Sequence, residues 1–189
     1  MSLDDGKKTF ICYLLSLARE GKEDRGALAD LRSGLGEGPG NMARVHRHVA
    51  PHLPDHSYDD RWYYVTATLF GLFPKHRRGY SMADAFRPLA FPQKEAKKDS
   101  MEARFVALLS ARPDDLDDHL RHIVRLLESA KPPQPLDWFR FFEDLLQWDH
   151  PEGHVQLRWA RDFYRRAGAT GSKANTNHNQ RTEQEEDHE

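Results

Sequence analysis

Ser100–Leu127 reads SMEARFVALLSARPDDLDDHLRHIVRLL, and two apolar stripes within it decide the fold class. Met101, Phe105, Leu108 and Leu109 fall at i, i+4, i+7 and i+8, one face of a helix. After Arg112-Pro113 the spacing restarts with Leu116, Leu120, Ile123, Val124 and Leu127. The pattern predicts a helical hairpin that buries one face. Arg104 sits at the edge of the first stripe, and Arg121 and Arg125 lie one turn apart on the polar side of the second.

Working outward, the same period recurs and no sustained alternation or tight hairpin turn marks a strand. Downstream, KPPQP (131–135) is a stiff turn before a dense helix with Leu136, Phe139, Phe142, Leu145, Leu146 and Trp148. Pro151-Glu152-Gly153 separates it from a last helix carrying Val155, Trp159, Phe163 and Tyr164. Upstream, a first helix is expected over Lys7–Arg19, with Cys12 in its apolar set. Asp24 is placed to cap a second helix that buries Ala27, Leu28 and Leu31 and ends with Gly34 at C′. A short helix spans about Asn41–Ala50 until Pro51 and Pro54 break it. The stretch from about Tyr58 to Phe73 is apolar nearly all round, which marks a central helix. Ser81 and Asp84 form a capping-box variant opening a helix through Met82, Ala85, Phe86 and Leu89. The polar, lysine-rich stretch 93–99 divides the chain into a helical domain over 1–92 and a four-helix bundle over 100–167. Residues 168–189 form a polar tail expected to be disordered. The fold class expected is all-α, two small helical bundles joined by a short linker.

Composition narrows the function. The 189 residues are 38% hydrophobic and 31% charged, enough for a sizeable core under a heavily charged surface. Cys12 is the single cysteine, which excludes an intramolecular disulfide and a cysteine metal cage; it is expected to be a small buried hydrophobe. No apolar run reaches the ~20 residues of a membrane span, and the N-terminus carries no signal-peptide pattern, so a cytoplasmic location without membrane partners is expected. The net charge of −2 is unevenly spread. From Gly168 on, two basic residues face five acidic ones, which leaves Met1–Ala167 at +1. Asn41–Ala90 is at +3, from seven basic against four acidic residues, with five histidines besides. Such a distribution suits contact with phosphates.

Catalytic and metal signatures are weak beside this. GLGEGPG (34–40) follows a helix and lacks a closing Gly-Lys-Ser/Thr, so it reads as a linker and not a phosphate loop. His119 and His122 stand at i, i+3 and His150 and His154 at i, i+4, but neither pair has an H-E-x-x-H frame, and Pro151 and Gly153 interrupt the second. No cofactor, metal site or catalytic residue is expected. Asp117 and Arg121 form an i, i+4 ion pair on the helix surface. Trp62, Trp138, Trp148 and Trp159 lie in apolar stripes and read as core.

The order of motifs then carries a resemblance. ALADLRSGLG (Ala27–Gly36), RWYYVTATLFGLFP (Arg61–Pro74), GYSMADAFRPLA (Gly79–Ala90), SMEARFVALLSA (Ser100–Ala111), LDDHLRHIVRLLESA (Leu116–Ala130), LDWFRFFEDLLQWDH (Leu136–His150) and WARDFY (Trp159–Tyr164) follow one another in register over about Thr9–Arg166. Taken together the chain resembles the CasB family, the small subunit of the type I-E CRISPR surveillance complex, Cascade. The resemblance implies an all-helical, non-catalytic subunit present in two copies. It implies partners in guide RNA, target and non-target DNA and the other Cascade subunits, and a role in stabilising the paired guide and target and holding the displaced strand through backbone contacts. It marks Arg32, Arg87, Arg104 and Arg121 as basic positions for nucleic acid, although Arg104 could instead brace the two domains through a carboxylate. Charge distribution adds Arg44, Arg47, Lys75, Arg77, Arg78 and Arg125. Two other functions stay open: a structural adaptor whose arginines meet acidic protein surfaces, and a hydrolase that uses the histidines.

Overall fold

The structure, a computed structural model, describes residues 5–55, 59–91 and 98–165. Most of the expected linker 93–99 and all of the expected tail 168–189 lie outside the described residues. Among those described there are nine α-helices and no strand: α1 Asp5–Leu17, α2 Arg25–Ser33, α3 Ala43–Val49, α4 Asp60–Leu72, α5 Met82–Ala90, α6 Lys98–Leu109, α7 Pro113–Ser129, α8 Trp138–Leu146 and α9 His154–Tyr164. Single 3₁₀ turns at Pro39–Asn41 and Ala50–His52 flank α3.

Local chemistry sets the helix ends. The Asp24 carboxylate accepts the Ala27 N–H at 2.8 Å, as its capping position requires. Ser81 and Asp84 close a full capping box: the Asp84 N–H donates to Ser81 Oγ at 3.0 Å and the Ser81 N–H donates to Asp84 Oδ2 at 3.2 Å. Pro113 occupies the first turn of α7, where its missing N–H costs nothing, and Asp114 and Asp115 face the positive end of the helix dipole. Gly34 behaves differently from the expected left-handed C′ residue: its φ is −88°. It is small for a packing reason, because a Cβ there would lie 2.8 Å from Val45 Cγ2 and 3.0 Å from Thr68 Cγ2. The left-handed turn comes later, at Gly36 with φ +85°.

The central helix is α4, buried from Trp62 to Gly71 on all sides. It is crossed closely by α2, since a Cβ on Gly71 would lie 2.6 Å from Leu31 Cβ and 2.8 Å from the Arg32 nitrogen. Elsewhere on its surface α1 and α8 meet it through Phe10, Tyr63 and Phe142, whose rings are 4.8–5.3 Å apart. The first and second halves are therefore joined by core aromatics. The same holds at the other end, where Phe86 of α5 stacks on Phe105 of α6 at 5.7 Å and Phe105 on Phe163 of α9 at 4.1 Å. Trp62, Trp138, Trp148 and Trp159 are all buried, as the stripes predict. In α1 the buried face is Phe10, Ile11, Leu14 and Leu17. Cys12 is exposed, contrary to expectation, because it stands one step of about 100° beyond Ile11 and past the edge of that face.

The connector between α4 and α5 is sewn to the start of α8. Arg77 N–H donates to Leu136 O at 3.1 Å, Asp137 N–H to Tyr80 O at 2.7 Å, and Gly79 N–H to Asp137 Oδ2 at 2.7 Å. Trp138 Nε1–H adds a bond to Lys75 O at 3.1 Å. A stretch that is basic and without periodicity in sequence thus has a fixed backbone.

Candidate nucleic-acid interface

Arg32 lies at the α2–α4 crossing, and its Nε–H donates to Gly71 O at 3.2 Å. That bond holds the side chain down while the residue remains exposed. Four residues later the chain turns at Gly36, against which the Arg121 guanidinium of α7 packs: a Cβ on Gly36 would fall on the Arg121 guanidinium. The positive φ favours glycine here, and the mobile end of Arg121 occupies the space a side chain would take. The run that reads as a linker is a seat for an arginine.

Arg121 is paired with Asp118 at 2.5 Å, not with Asp117 as expected. Asp117 is turned toward α4, where Arg61 holds it at 3.1 Å. Burial raises the Asp117 carboxyl above the usual range, and Arg61 works against that shift. One turn beyond Arg121, Arg125 is exposed. Between them His122 accepts from the Arg104 guanidinium of α6, which joins the two helices. No carboxylate holds Arg104 among the described residues; its contact is to an imidazole on the neighbouring helix of the same half, not to an acid that would brace the two halves. Burial lowers the His122 pKa below its ordinary value, and Arg104, Arg125 and His119 lower it further. An imidazole so placed among cations takes a proton less readily than a free one.

The other predicted residues stand in different surroundings. Arg87 on α5 is half-buried, and its buried Nε has no hydrogen-bond partner. Arg44 on α3 is exposed with no carboxylate partner among the described residues. Arg47 is engaged by Asp30 of α2 and donates to His48 Nε2 at 3.2 Å. In the α4–α5 connector Lys75, Arg77 and Arg78 are exposed, and the Arg77 guanidinium lies over the Tyr80 ring at 3.7 Å. Contacts join Arg104 to α7 through His122 and Arg121 to the turn at Gly36; Arg125 lies one turn from Arg121, and Arg32 stands four residues before Gly36.

By spacing alone His119 and His122 are polar-face residues, yet they belong to this cationic group. Arg104, the partner of His122, lies on another helix, and spacing within α7 carries no sign of it. A cleft of about 770 Å³ beside α1, α8 and α9 also holds cations: Lys8, Arg78, Arg140 and Arg158. It holds Asp137, Glu143 and Asp144 as well, and Arg140 and Arg158 are paired with Asp162 and Asp144. Its charge nearly cancels, which sets it apart from the face around Arg121.

Comparison with known proteins finds relatives over most of the chain. The family model described as CRISPR-associated protein Cse2 matches residues 27–164. A CRISPR-associated protein Cse2 of Thermus thermophilus is 36% identical over 142 residues, which is 73% of this chain and 78% of the relative. The crystal structure of a Cse2-family protein from that organism superposes with a TM-score of 0.71 at 32% identity, over 86% of this chain and 99% of its own. CasB of M. ruber gives a TM-score of 0.67 at 28% identity, over 86% and 94%. A chain of a CRISPR RNA-guided surveillance complex gives 0.69 at 25% identity, over 85% and 92%.

Proposed function

This chain belongs to the Cse2 (CasB) family of CRISPR-associated proteins, and from that premise we propose that it is the non-catalytic small subunit of a type I-E RNA-guided surveillance complex. In that setting it works with the guide RNA, the target and displaced DNA strands, the other subunits and a second copy of itself. It steadies the guide paired to its target and retains the displaced strand by phosphate contacts that read no sequence.

The observation that carries this reading is the series Arg32, Arg121, Arg125 and Arg104 with His122. The first is positioned by the Gly71 carbonyl, the second by the Gly36 turn and the fourth by an imidazole. Asp118 is the one carboxylate paired with them among the described residues. Positioned guanidiniums with little local neutralisation are what a sequence-blind polyanion site needs. Arg87, with an unpartnered buried Nε on the adjoining α5, extends the candidate set. Arg44, Lys75, Arg77, Arg78 and Arg47 stay in it with less local support, Arg47 because Asp30 already engages it.

The test is retention of a fluorescent single-stranded oligonucleotide by the assembled complex across a salt series. Affinity should fall steeply with salt, by about 0.7 log units per log unit of salt for each phosphate neutralised. Alanine at Arg32, Arg87 and Arg104 together should weaken retention and flatten that slope while circular dichroism is unchanged. Equal retention by the triple variant removes these residues from the role. Absence of any salt-dependent binding, assembled or alone, supports the adaptor that uses its arginines on acidic protein surfaces.

A further inference from the structure

We infer that the turn between α8 and α9 is a binding site for a zinc-class divalent ion, held by His150, Glu152 and His154. Each of the three offers a ligand atom, and these atoms all lie within 4.8 Å of one another. The two imidazole rings are 4.4 Å apart at 63°. The spacing H-x-E-x-H lacks the continuous helix that would ordinarily place an i, i+4 pair on one face, and on that ground no metal site is expected from sequence. The fold supplies another route. The chain leaves α8 after Leu146, and Gly153 adopts φ +57° just before α9 begins at His154. A side chain is strained in that conformation, so glycine is suited to the reversal. The reversal brings a ligand atom of Glu152 within 4.8 Å of those of both histidines.

The turn is held before any ion arrives. His150 N–H donates to Gln147 O at 3.2 Å, Gly153 N–H to His150 O at 2.9 Å, and Gln156 Nε2 to Trp148 O at 2.9 Å. Trp148 and Val155 anchor it on either side in the core. Glu152 N–H donates to His150 Nδ1 at 3.3 Å, which orients the ring. The nearest strong competitor, Arg158 one turn beyond His154, is already engaged by the buried Asp144. Two imidazoles and one carboxylate match zinc or its first-row neighbours better than magnesium or calcium, which prefer oxygen alone. Around a tetrahedral zinc such donors stand about 3.4 Å apart, a contraction that exposed His150 and Glu152 side chains reach by rotation. Three ligands leave one position for water or for a donor from a neighbouring subunit. The ion then locks the end of α8 to the start of α9.

The experiment is titration of the full-length protein with zinc chloride by calorimetry, beside a melting curve with and without zinc. One equivalent per chain is expected, with a higher melting temperature in zinc. The double variant His150→Ala/His154→Ala should lose at least tenfold in affinity and the zinc-dependent melting shift, and Glu152→Gln should lose part of both. Cys12→Ser and the double variant His178→Ala/His188→Ala should bind as the parent does. Unchanged binding in His150→Ala/His154→Ala overturns the assignment. So does loss of binding in either control, which would move the ion to the thiol or to the tail.

Discussion

His122 carries a consequence of its surroundings that can be measured. In the free protein its pKa is held below the ordinary imidazole value by burial and by Arg104, Arg125 and His119. A phosphate laid across Arg104 and Arg125 offsets that repulsion and takes the Arg104 guanidinium from the His122 nitrogen, so the bound form takes a proton more readily than the free form. Binding and protonation are then linked, and affinity rises as pH falls through the window between the free and bound values. Between about pH 7.5 and 5.5 the affinity for a single-stranded oligonucleotide should increase a few-fold at constant salt. His122→Gln should remove most of that increase while it leaves affinity at the upper pH nearly unchanged. A variant with the parent's pH profile would detach His122 from the bound phosphate. Single residues also show where sequence stops being legible. Asp117 and Asp118 are equally plausible partners for Arg121 by spacing. The choice between them is made by Arg61, on a helix far away in the chain, which draws Asp117 inward. Cys12 is misplaced for the opposite reason: its apolar neighbours are real, but it stands just outside the arc they bury.

Elements are the scale at which periodicity and capping chemistry are most informative, and there the expectations hold well. The stripes of α6 and α7, the Asp24 cap and the Ser81–Asp84 box are local features, complete within one or two turns. What spacing misses is chemistry made between elements, as in the pairing of α8 with α9. Asp144 of α8 is buried, with its carboxyl raised above the usual range by that burial. Trp159 Nε1–H donates to it at 2.5 Å and the Arg158 guanidinium engages its other oxygen. Neither contact is visible in LDWFRFFEDLLQWDH, where Asp144 reads as one more acid on a charged face. Alanine at Asp144 leaves the Trp159 N–H buried without an acceptor, while Arg158, 40% exposed, recovers water. The expected loss is about 2 to 3 kcal/mol, read as a lower midpoint in urea unfolding. Arg158→Ala should cost clearly less, because the indole bond survives. Equal costs for the two would mean that the ion pair, not the buried indole bond, carries the joint.

At the scale of the whole molecule the question is whether the chain unfolds in one step or two. Composition divides it at 93–99, since that stretch is polar and lacks period. The buried side chains form one cluster that runs through both halves, from Phe10 against Phe142 at one end to Phe86, Phe105 and Phe163 at the other. Sequence cannot reveal such joining, because each aromatic belongs to its own helix stripe and the pairing depends on how the helices cross. Phe105 is fully buried on α6, stacked between rings supplied by α5 and α9. Truncating it opens a cavity at the junction and should cost about 3 to 5 kcal/mol. If the core acts as a unit, Phe105→Ala lowers the stability of α1 to α5 as much as that of α6 to α9. Hydrogen exchange would then show slow amides in α4 and α7 accelerated by the same factor, with one unfolding transition shared by all probes. Acceleration confined to α6–α9, or a second transition, would restore two domains over 1–92 and 100–167. The face proposed for nucleic acid spans this junction: Arg32 and Gly36 come from one side, Arg104, Arg121 and Arg125 from the other. Its geometry can persist in the isolated chain only if the two sides are rigidly joined. Cooperative unfolding is thus the physical condition for a preformed site, and its failure would make the site depend on assembly.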